Sequence, residues 1–257
     1  MNCYNGERFL YEAIESIYSQ TYKNWEIIFW DNNSTDNSSK IAHSFDDKVK
    51  YFFAKKNTPL GEARNLALRK ASGKYVAFLD CDDLYFSNKI EKQVKLMEKN
   101  NYAMSYGSGI TINENGDEIK RTAVRNKSGY VFDSLLNHYE IGMQSVMLLK
   151  SFLIENNLEF DTNFSYCPDY NLFMLVASRE PIGLTKDFIV KNRVVKNSLQ
   201  YSKESINIAG TEVRITLDAI ISKYPELSKK FSKEFNQAYA KSKYYDAVSL
   251  IYKKKIK

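Results

Sequence analysis

The stretch Tyr75-Val76-Ala77-Phe78-Leu79-Asp80-Cys81-Asp82-Asp83 decides how the rest of this chain is read. Its five apolar residues, bounded by Gly73 and by three carboxylates, predict a short strand from Tyr75 to Leu79 that is buried on both faces. In an open α/β sheet, ligands bind outside the carboxyl ends of the strands, so acids at such an end are placed to meet a ligand. If the backbone stays extended, Asp80 and Asp82 point to the same side, because side chains alternate along a strand. Two hard oxygen donors side by side fit Mg²⁺ or Mn²⁺, which take the rest of their shell from water and substrate phosphates. The same acids also fit a turn followed by a helix N-terminus.

Working outward, the sequence alternates strand and helix with short joints. A helix is predicted from about Glu7, with Leu10, Ala13, Ile14, Ile17 and Tyr18 at helical spacing and Asn5 available as its cap. Trp25 to Trp30 reads as a strand, Asp31 to Asp36 as a polar turn, Asn37 to Phe45 as a helix and Val49 to Ala54 as a strand. A helix opening at Gly61-Glu62-Ala63-Arg64-Asn65 stops at Gly73, and another runs from Ser87 to Asn100, with Ile90, Val94, Leu96 and Met97 on its apolar side. Strand and helix in this order imply a parallel sheet with crossover helices. Beyond residue 100 the pattern is mixed. Tyr102 to Ile112 and Glu118 to Arg121 form a hairpin through Asn115-Gly116. Val146 to Leu149 reads as a strand, Pro168 to Ser178 as a helix and Ile182 to Val195 as strand. From Lys203 onward two or three helices follow, broken near Pro225.

Composition bounds the function class. With 44% apolar and 14% aromatic residues in 257, the chain is globular, not disordered, and no run is long enough to span a membrane. Its first residues are polar, so no secretory leader is expected. Cys3, Cys81 and Cys167 are far apart in sequence and lack metal-ligand spacing, which points to reduced thiols in a cytoplasmic protein. Much of the net charge of +6 lies in the last third, at Lys229, Lys230, Lys233, Lys241, Lys243 and the terminal lysines. Such a face can rest on an anionic membrane, or it can be a solvated helix face or a dimer surface. Nucleic acid is not an expected partner, because acids dominate the cleft.

Four stretches in order resemble the family 2 glycosyltransferases of the GT-A fold: CYNGERFLYEAIESIYSQTYKNWEIIFWDNNSTD, PLGEARNLALRKASGKYVAFLDCDD, EFDTNFSYCPDYNLFM and NRVVKNSLQYS. The first two cover residues 3 to 83 with matching spacing. The resemblance implies an α/β GT-A domain over residues 1–204, with a nucleotide-binding half (1–100) and an acceptor-binding half (101–204), followed by a helical extension (205–257). It implies an inverting, metal-dependent transferase that moves a sugar from a nucleotide-sugar donor, UDP-linked by preference, to a lipid-linked or cell-surface glycan. The localisation that goes with it is cytoplasmic, with peripheral contact at the inner face of the membrane.

Residue by residue, the resemblance assigns Asp31 to the base of the nucleotide, where an acceptor-only carboxylate meets an N–H. It sets Tyr4 and Asn5 in a nucleotide-contacting loop. Arg64 becomes the guanidinium that reaches the nucleotide. Asp82 is the metal ligand, and Asp80 contacts the ribose or metal side of the donor. The cofactor is a divalent cation, Mn²⁺ or Mg²⁺. Asp169 is the base that takes the acceptor hydroxyl's proton, ahead of Asp161. Cys81 is a packed spacer.

The chain departs from the family pattern at several points. Asn32 stands where a second Asp is common, Pro168 stands where a Glu precedes the base, and Val195 stands where many relatives carry a histidine. No Gln-x-x-Arg-Trp motif is present, which argues against a processive polymer synthase. The apolar first strand expected before Tyr4-Asn5 is missing, which predicts unpaired backbone beside it. A second reading follows from these departures: a nucleotide-sugar-binding or scaffold protein of the same fold that has lost catalysis.

Overall fold

The computed structural model describes residues 1–195 and 203–254. Residues 196–202 of the fourth matching stretch and residues 255–257 of the basic tail lie outside the described residues, as do the side chains of 203–208 and 249–254.

The first half is built on β2 (Ile27–Asp31), which is buried along its whole length. Its alternate residues serve two cores, which is why the run is apolar without a break. Ile27 and Phe29 pack against Leu10, Ala13, Ile14 and Ile17 of α1 (Glu7–Tyr18). Ile28 and Trp30 pack against Ala63 and Ala67 of α3 (Leu60–Lys70), where small side chains let the helix lie close. Between them α2 (Ser38–Ala42) is shorter than its sequence pattern suggests. β2 pairs in parallel with β3 (Val49–Phe53) on one edge and β1 (Asn2–Cys3) on the other.

The apolar first strand expected before Tyr4-Asn5 is replaced by the two-residue β1, so only part of the neighbouring edge that was expected to be unpaired stays so. Asn2 and Cys3 pair with Trp30 and Asp31, Trp30 N–H donates to the Met1 carbonyl at 2.9 Å, and Asn32 N–H donates to the Cys3 carbonyl at 2.8 Å. These bonds use only backbone, so two residues without a strand-like apolar pattern form them. Asn5 is likewise not the cap of α1. Gly6 holds that position without a side-chain bond, while Asn5 adopts a left-handed backbone (φ 52°) and turns its side chain away.

Among the described residues the remaining strands form a second, mixed sheet in the order β4-β8-β6-β9-β5, with β7 paired to β6. These are β4 (Tyr75–Ala77), β5 (Leu84–Tyr85), β6 (Met104–Ile112), β7 (Glu118–Thr122), β8 (Met147–Leu149) and β9 (Ile182–Arg193). The hairpin at Asn115-Gly116 is present, and its Gly116 has φ 87°. β6 and β9 run parallel in close approach. A Cβ on Gly107 would meet Ile189 Cδ1 and Thr185 Cγ2 at 2.7 Å.

β4 is shorter than the predicted Tyr75 to Leu79 and only half-buried, because among the described residues just one of its edges carries a strand, β8. The edge that faces β2 borders a cavity of about 600 Å³. A single parallel bridge, Asn2 to Asp80, joins the two sheets there.

Helices α4 (Lys89–Asn100), α5 (Phe132–Asn137), α6 (Lys150–Glu155) and α7 (Pro168–Ala177) cover the second sheet. The short α5 and α6 carry too few turns to show a period in the sequence. α8 (Lys203–Lys223), α9 (Pro225–Lys230) and α10 (Ser232–Lys254) follow, with Pro225 in the first turn of α9 as anticipated. Leu217, Ile220, Phe235 and Ala238 from these helices enter the same core as Phe132, Leu136 and Phe173, so α8 and α10 are part of the packing around α7.

Candidate functional site

The acids of the opening stretch do not continue the strand. Asp80 makes the bridge to Asn2, and the chain then turns through Cys81 and Asp82, with Asp83 N–H donating to the Asp80 carbonyl at 3.2 Å. The turn replaces the alternation expected for extended backbone, so the positions of Asp80 and Asp82 are set by their partners. Asp80 receives Arg64 Nη2 at 3.5 Å on one oxygen and Gln144 Nε2 at 2.8 Å on the other. Burial, and then the neighbouring Asp80 charge, push the Asp82 carboxyl up to about 6. Asp83 points inward, 4% exposed, and accepts Arg193 N–H at 2.6 Å. Burial with Asp80 and Asp82 nearby raises it well above the carboxylate range.

Arg193, at the end of β9, clamps this turn. Its Nε donates to the Asp82 carbonyl at 2.9 Å, Nη1 to the Glu114 carbonyl at 3.1 Å and Nη2 to Glu12 at 2.8 Å, and the guanidinium lies over the Phe9 ring at 4.3 Å. Cys81 is packed, as anticipated for a spacer, but it meets Cys3. The two thiols lie side by side, and the Cys3 thiol together with burial keeps Cys81 well above the usual thiol range. Gly6 is required beside them, since a Cβ there would come within 2.5 Å of Cys81 Sγ.

The other predicted residues lie at the ends of β1 and β2. Asp31 is fully buried and already accepts Ser34 N–H at 2.7 Å and Tyr51 O–H at 2.7 Å, one on each oxygen. A carboxylate has about four lone-pair directions, so each oxygen keeps one further acceptor direction. Asn32 is spent on structure, exchanging bonds with Thr58 through Nδ2 at 2.8 Å and Oδ1 at 3.1–3.2 Å. Asn5 Oδ1 accepts Thr35 N–H at 2.8 Å, and Glu7 accepts Asn37 N–H at 2.8 Å while its own N–H donates to Asp36 at 2.9 Å. The loops after β1 and β2 therefore hold each other. Tyr4 stands free above them, 56% exposed. His43 lies tilted against the Tyr51 ring, with centroids 4.3 Å apart.

Asp169 lies in the first turn of α7, behind Pro168. Burial raises its carboxyl; Arg64 opposes that shift and Asp80 adds to it, so the three groups share one electrostatic neighbourhood. The loop leading into α7 is fixed from α8. Glu212, 3% exposed, accepts N–H bonds from Ser165 at 2.6 Å, Tyr166 at 3.0 Å and Cys167 at 2.6 Å. The structure thus brings Arg64 and Asp80 near Asp169, sets Asp82 in the same turn as Asp80, and groups Tyr4, Asn5 and Asp31 one loop away. Gln144, the clamp made by Arg193 and the anchor Glu212 were not anticipated. Gln144 sits in a short 3₁₀ turn (Met143–Ser145) and Glu212 in a helix, and neither position has a sequence signal that marks it.

A divalent cation fits the acid turn. Among the described residues no trio of His, Cys, Asp or Glu gathers on one point, so a cation there would have at most two protein carboxylates, Asp80 and Asp82. That is the donor set of an ion that keeps waters and binds substrate phosphates. Burial first, and then repulsion from Asp80, lifts Asp82, and a positive charge beside the two acids would relieve the second.

Comparison with known proteins gives the same direction. The model of the family described as glycosyl transferase family 2 matches residues 1–156. The uncharacterized glycosyltransferase RC0461 of Rickettsia conorii is 36% identical over 226 residues, 86% of this chain and 37% of that protein. The chain therefore spans little more than a third of that relative's length. WfgD of Escherichia coli, named as a UDP-Glc:alpha-D-GlcNAc-diphosphoundecaprenol beta-1,3-glucosyltransferase, is 33% identical over 206 residues, 79% of each chain. Among solved structures, Staphylococcus aureus TarS 1–349 with UDP-GlcNAc aligns with a TM-score of 0.69 at 17% identity, covering 82% of this chain and 64% of that one. The mannosyltransferase PcManGT of Pyrobaculum calidifontis, with GDP-Man and Mn²⁺, also aligns at 0.69, with 15% identity, 97% of this chain and 71% of that one. At these identities the likeness establishes the fold, which is GT-A with C-terminal helices.

Proposed function

Because the chain belongs to glycosyl transferase family 2, we propose that it is an inverting, divalent-metal-dependent transferase that moves one sugar from a UDP-sugar to a lipid-linked or cell-surface glycan. The observation that carries this reading is the meeting of Arg64 and Gln144 on Asp80, beside Asp82 in the same turn, with Arg64 and Asp80 in the electrostatic neighbourhood of Asp169.

In this reading Asp31, with Tyr4 and Asn5 beside it, takes the base of the nucleotide. Arg64 and Gln144 hold Asp80 so that it faces the diphosphate end of the donor. Asp80 and Asp82 hold the cation, whose positive charge, when bound, offsets the charge that builds on the leaving diphosphate. Asp169 takes the proton from the acceptor hydroxyl on the face opposite the leaving group. Its raised affinity for a proton suits a general base better than an ordinary exposed carboxylate would. Named relatives support the donor and acceptor classes only as precedents. The lysines of α9 and α10 are proposed as the inner-leaflet contact of a cytoplasmic protein; no described helix is long and apolar enough to cross a membrane.

Isothermal titration with UDP and Mn²⁺, followed by a transfer assay over UDP-, GDP- and dTDP-sugars, tests the reading. Asp82→Ala is expected to lose metal-dependent UDP binding, and Asp169→Asn to keep binding while transfer falls at least about 100-fold. Full transfer by Asp169→Asn overturns the base assignment. Binding without transfer by the parent chain supports the nucleotide-sugar-binding reading instead.

A further inference from the structure

Cys3 and Cys81, far apart in sequence, meet where the two sheets touch. Asn2 and Asp80 form the parallel bridge there, so the next residue on one side is Cys3 and on the other Cys81. Neighbouring strands lie about 4.8 Å apart, inside the range of about 4.4–6.8 Å over which a disulfide joins two Cα atoms. Gly6 locates the side chains. A Cβ built on it would stand 2.5 Å from Cys81 Sγ and 2.9 Å from Cys3 Sγ, so both sulfurs crowd one point. The missing side chain at Gly6 is what leaves them room.

The pair is held and can be reached. Ser38 Oγ accepts Gly6 N–H at 3.0 Å and the Cys3 thiol at 3.4 Å, which keeps the Cys3 sulfur beside Gly6. Cys3 is buried and Cys81 is partly exposed, so a small oxidant meets the pair from the Cys81 side. Cys167, the third free thiol, stands apart at the start of α7. Cys81 lies between Asp80 and Asp82, and Cys3 leads into Tyr4 and Asn5. A bond between the two sulfurs therefore ties the acid turn to the loop after β1. Arg193 already fixes the other side of that turn, through the Asp82 carbonyl at 2.9 Å and Asp83 at 2.6 Å. Drawing Cys81 toward Cys3 pulls against this clamp, and the flanking Asp80 and Asp82 must shift.

We propose that Cys3 and Cys81 are a reversible cross-linking site, which a peroxide oxidises to a disulfide that locks the acid turn to β1 and weakens cation and donor binding there. One thiol sulfur attacks a peroxide oxygen; the O–O bond breaks, and the leaving oxygen takes the thiol proton away as water. The other sulfur attacks the sulfenic acid so formed; the S–O bond breaks, the S–S bond forms, and a second water leaves with the second thiol proton. The two thiols lose two electrons and the peroxide is reduced to two waters. A small dithiol restores both thiols by exchange. The bond rests on the placing of the two sulfurs, and its effect on the donor rests on the transferase reading.

In the test, the folded chain is treated with hydrogen peroxide, blocked with an alkylating agent and digested with trypsin without reduction. Peptides 1–8 and 75–89 are expected to appear joined, lighter than their sum by the two thiol hydrogens. Closing so long a loop in the unfolded chain is expected to raise Tm by about 5 °C or more. The Mn²⁺-dependent affinity for UDP is expected to fall at least about 5-fold, and dithiothreitol to reverse all three changes. Cys3→Ser and Cys81→Ser should each lose the joined peptide and the UDP response, and Cys167→Ser should keep both. Should either variant misfold, the digest of the parent chain still decides the pairing. Oxidation of Cys81 to the sulfinic acid with no joined peptide overturns the proposal, as does pairing of either cysteine with Cys167. A joined chain that binds UDP and Mn²⁺ as the reduced chain does overturns the effect on the acid turn. A reduced chain that binds no UDP counts against the transferase reading, while digest and melt still decide the bond.

Discussion

Replacing Glu212 with Gln probes how the α7 loop is held, because the two side chains differ by little more than a charge and a donor. The carboxylate accepts three backbone N–H groups, two of them at 2.6 Å, from the residues leading into α7. Gln keeps one acceptor oxygen and sets an NH₂ against the donors on the other side. One charge-assisted bond is lost and one donor is left facing a donor, which costs about 2–4 kcal/mol at a site this buried. For a chain of this size that is a fall in Tm of about 5–10 °C. The loop ends at Cys167, two residues before Asp169, so kcat is expected to fall more than KM rises, and amide exchange at 165–167 to speed up selectively. Thermal melts, exchange and steady-state kinetics on the same preparation read all three. A variant within about 1 °C of the parent, with exchange at 165–167 unchanged, would refute the anchoring role of α8.

Other outcomes follow from the same geometry. Lys89 is fully buried, donates to Gln93 Oε1 at 2.7 Å and lies over the Tyr85 ring, and burial lowers its amine to about 7. Between that value and its ordinary value of 10.5 the unfolded chain holds a proton that the folded chain has released, so this group makes stability rise with pH across that window. Lys89→Met is expected to have the higher urea midpoint at pH 7, and its advantage to shrink by pH 9.5; a pH-independent gap would contradict the burial argument. Tyr51→Phe removes one of the two bonds to buried Asp31, so KM for the nucleotide sugar is expected to rise and Tm to fall by about 2–8 °C, checked by kinetics beside a melt. Gly107→Ala sets a methyl against Ile189 and Thr185 and is expected to cost about 1–3 kcal/mol in urea titrations. A variant with Lys229, Lys230, Lys233, Lys241 and Lys243 all changed to Gln is expected to stop sedimenting with anionic liposomes; equal sedimentation removes the membrane contact.

The nucleotide half was legible in the sequence because its central strand β2 is buried on both faces and its helices α1 and α4 are amphipathic. Leu10, Ala13, Ile14 and Ile17 appear on the inner face of α1 as their spacing requires. The acid turn was legible as chemistry but not as geometry. Its bend depends on Arg193 and Gln144, which come from strands and turns far along the chain, and no local pattern encodes such partners. β1 was missed because its two residues bond through backbone alone, and Cys3 meets Cys81 only because the sheets touch at Asn2 and Asp80. Lys89 and Gln93 look like solvent-facing positions in the sequence of α4, yet both point inward, where Gln93 ties Ser105 and Ser145.

The Arg193 clamp has a temporal consequence. It joins the acid turn to a residue 111 positions away and reaches Glu12 across 181 positions. A ribosome that has released the first hundred residues has made every acid of that turn, but not the residue that fixes its bend. Contacts this distant in sequence close late, after the local helices have formed. Until β9 emerges, the nascent chain carries a cluster of like charges without its counterweight, so the donor-binding end should be among the last parts of the molecule to set during synthesis.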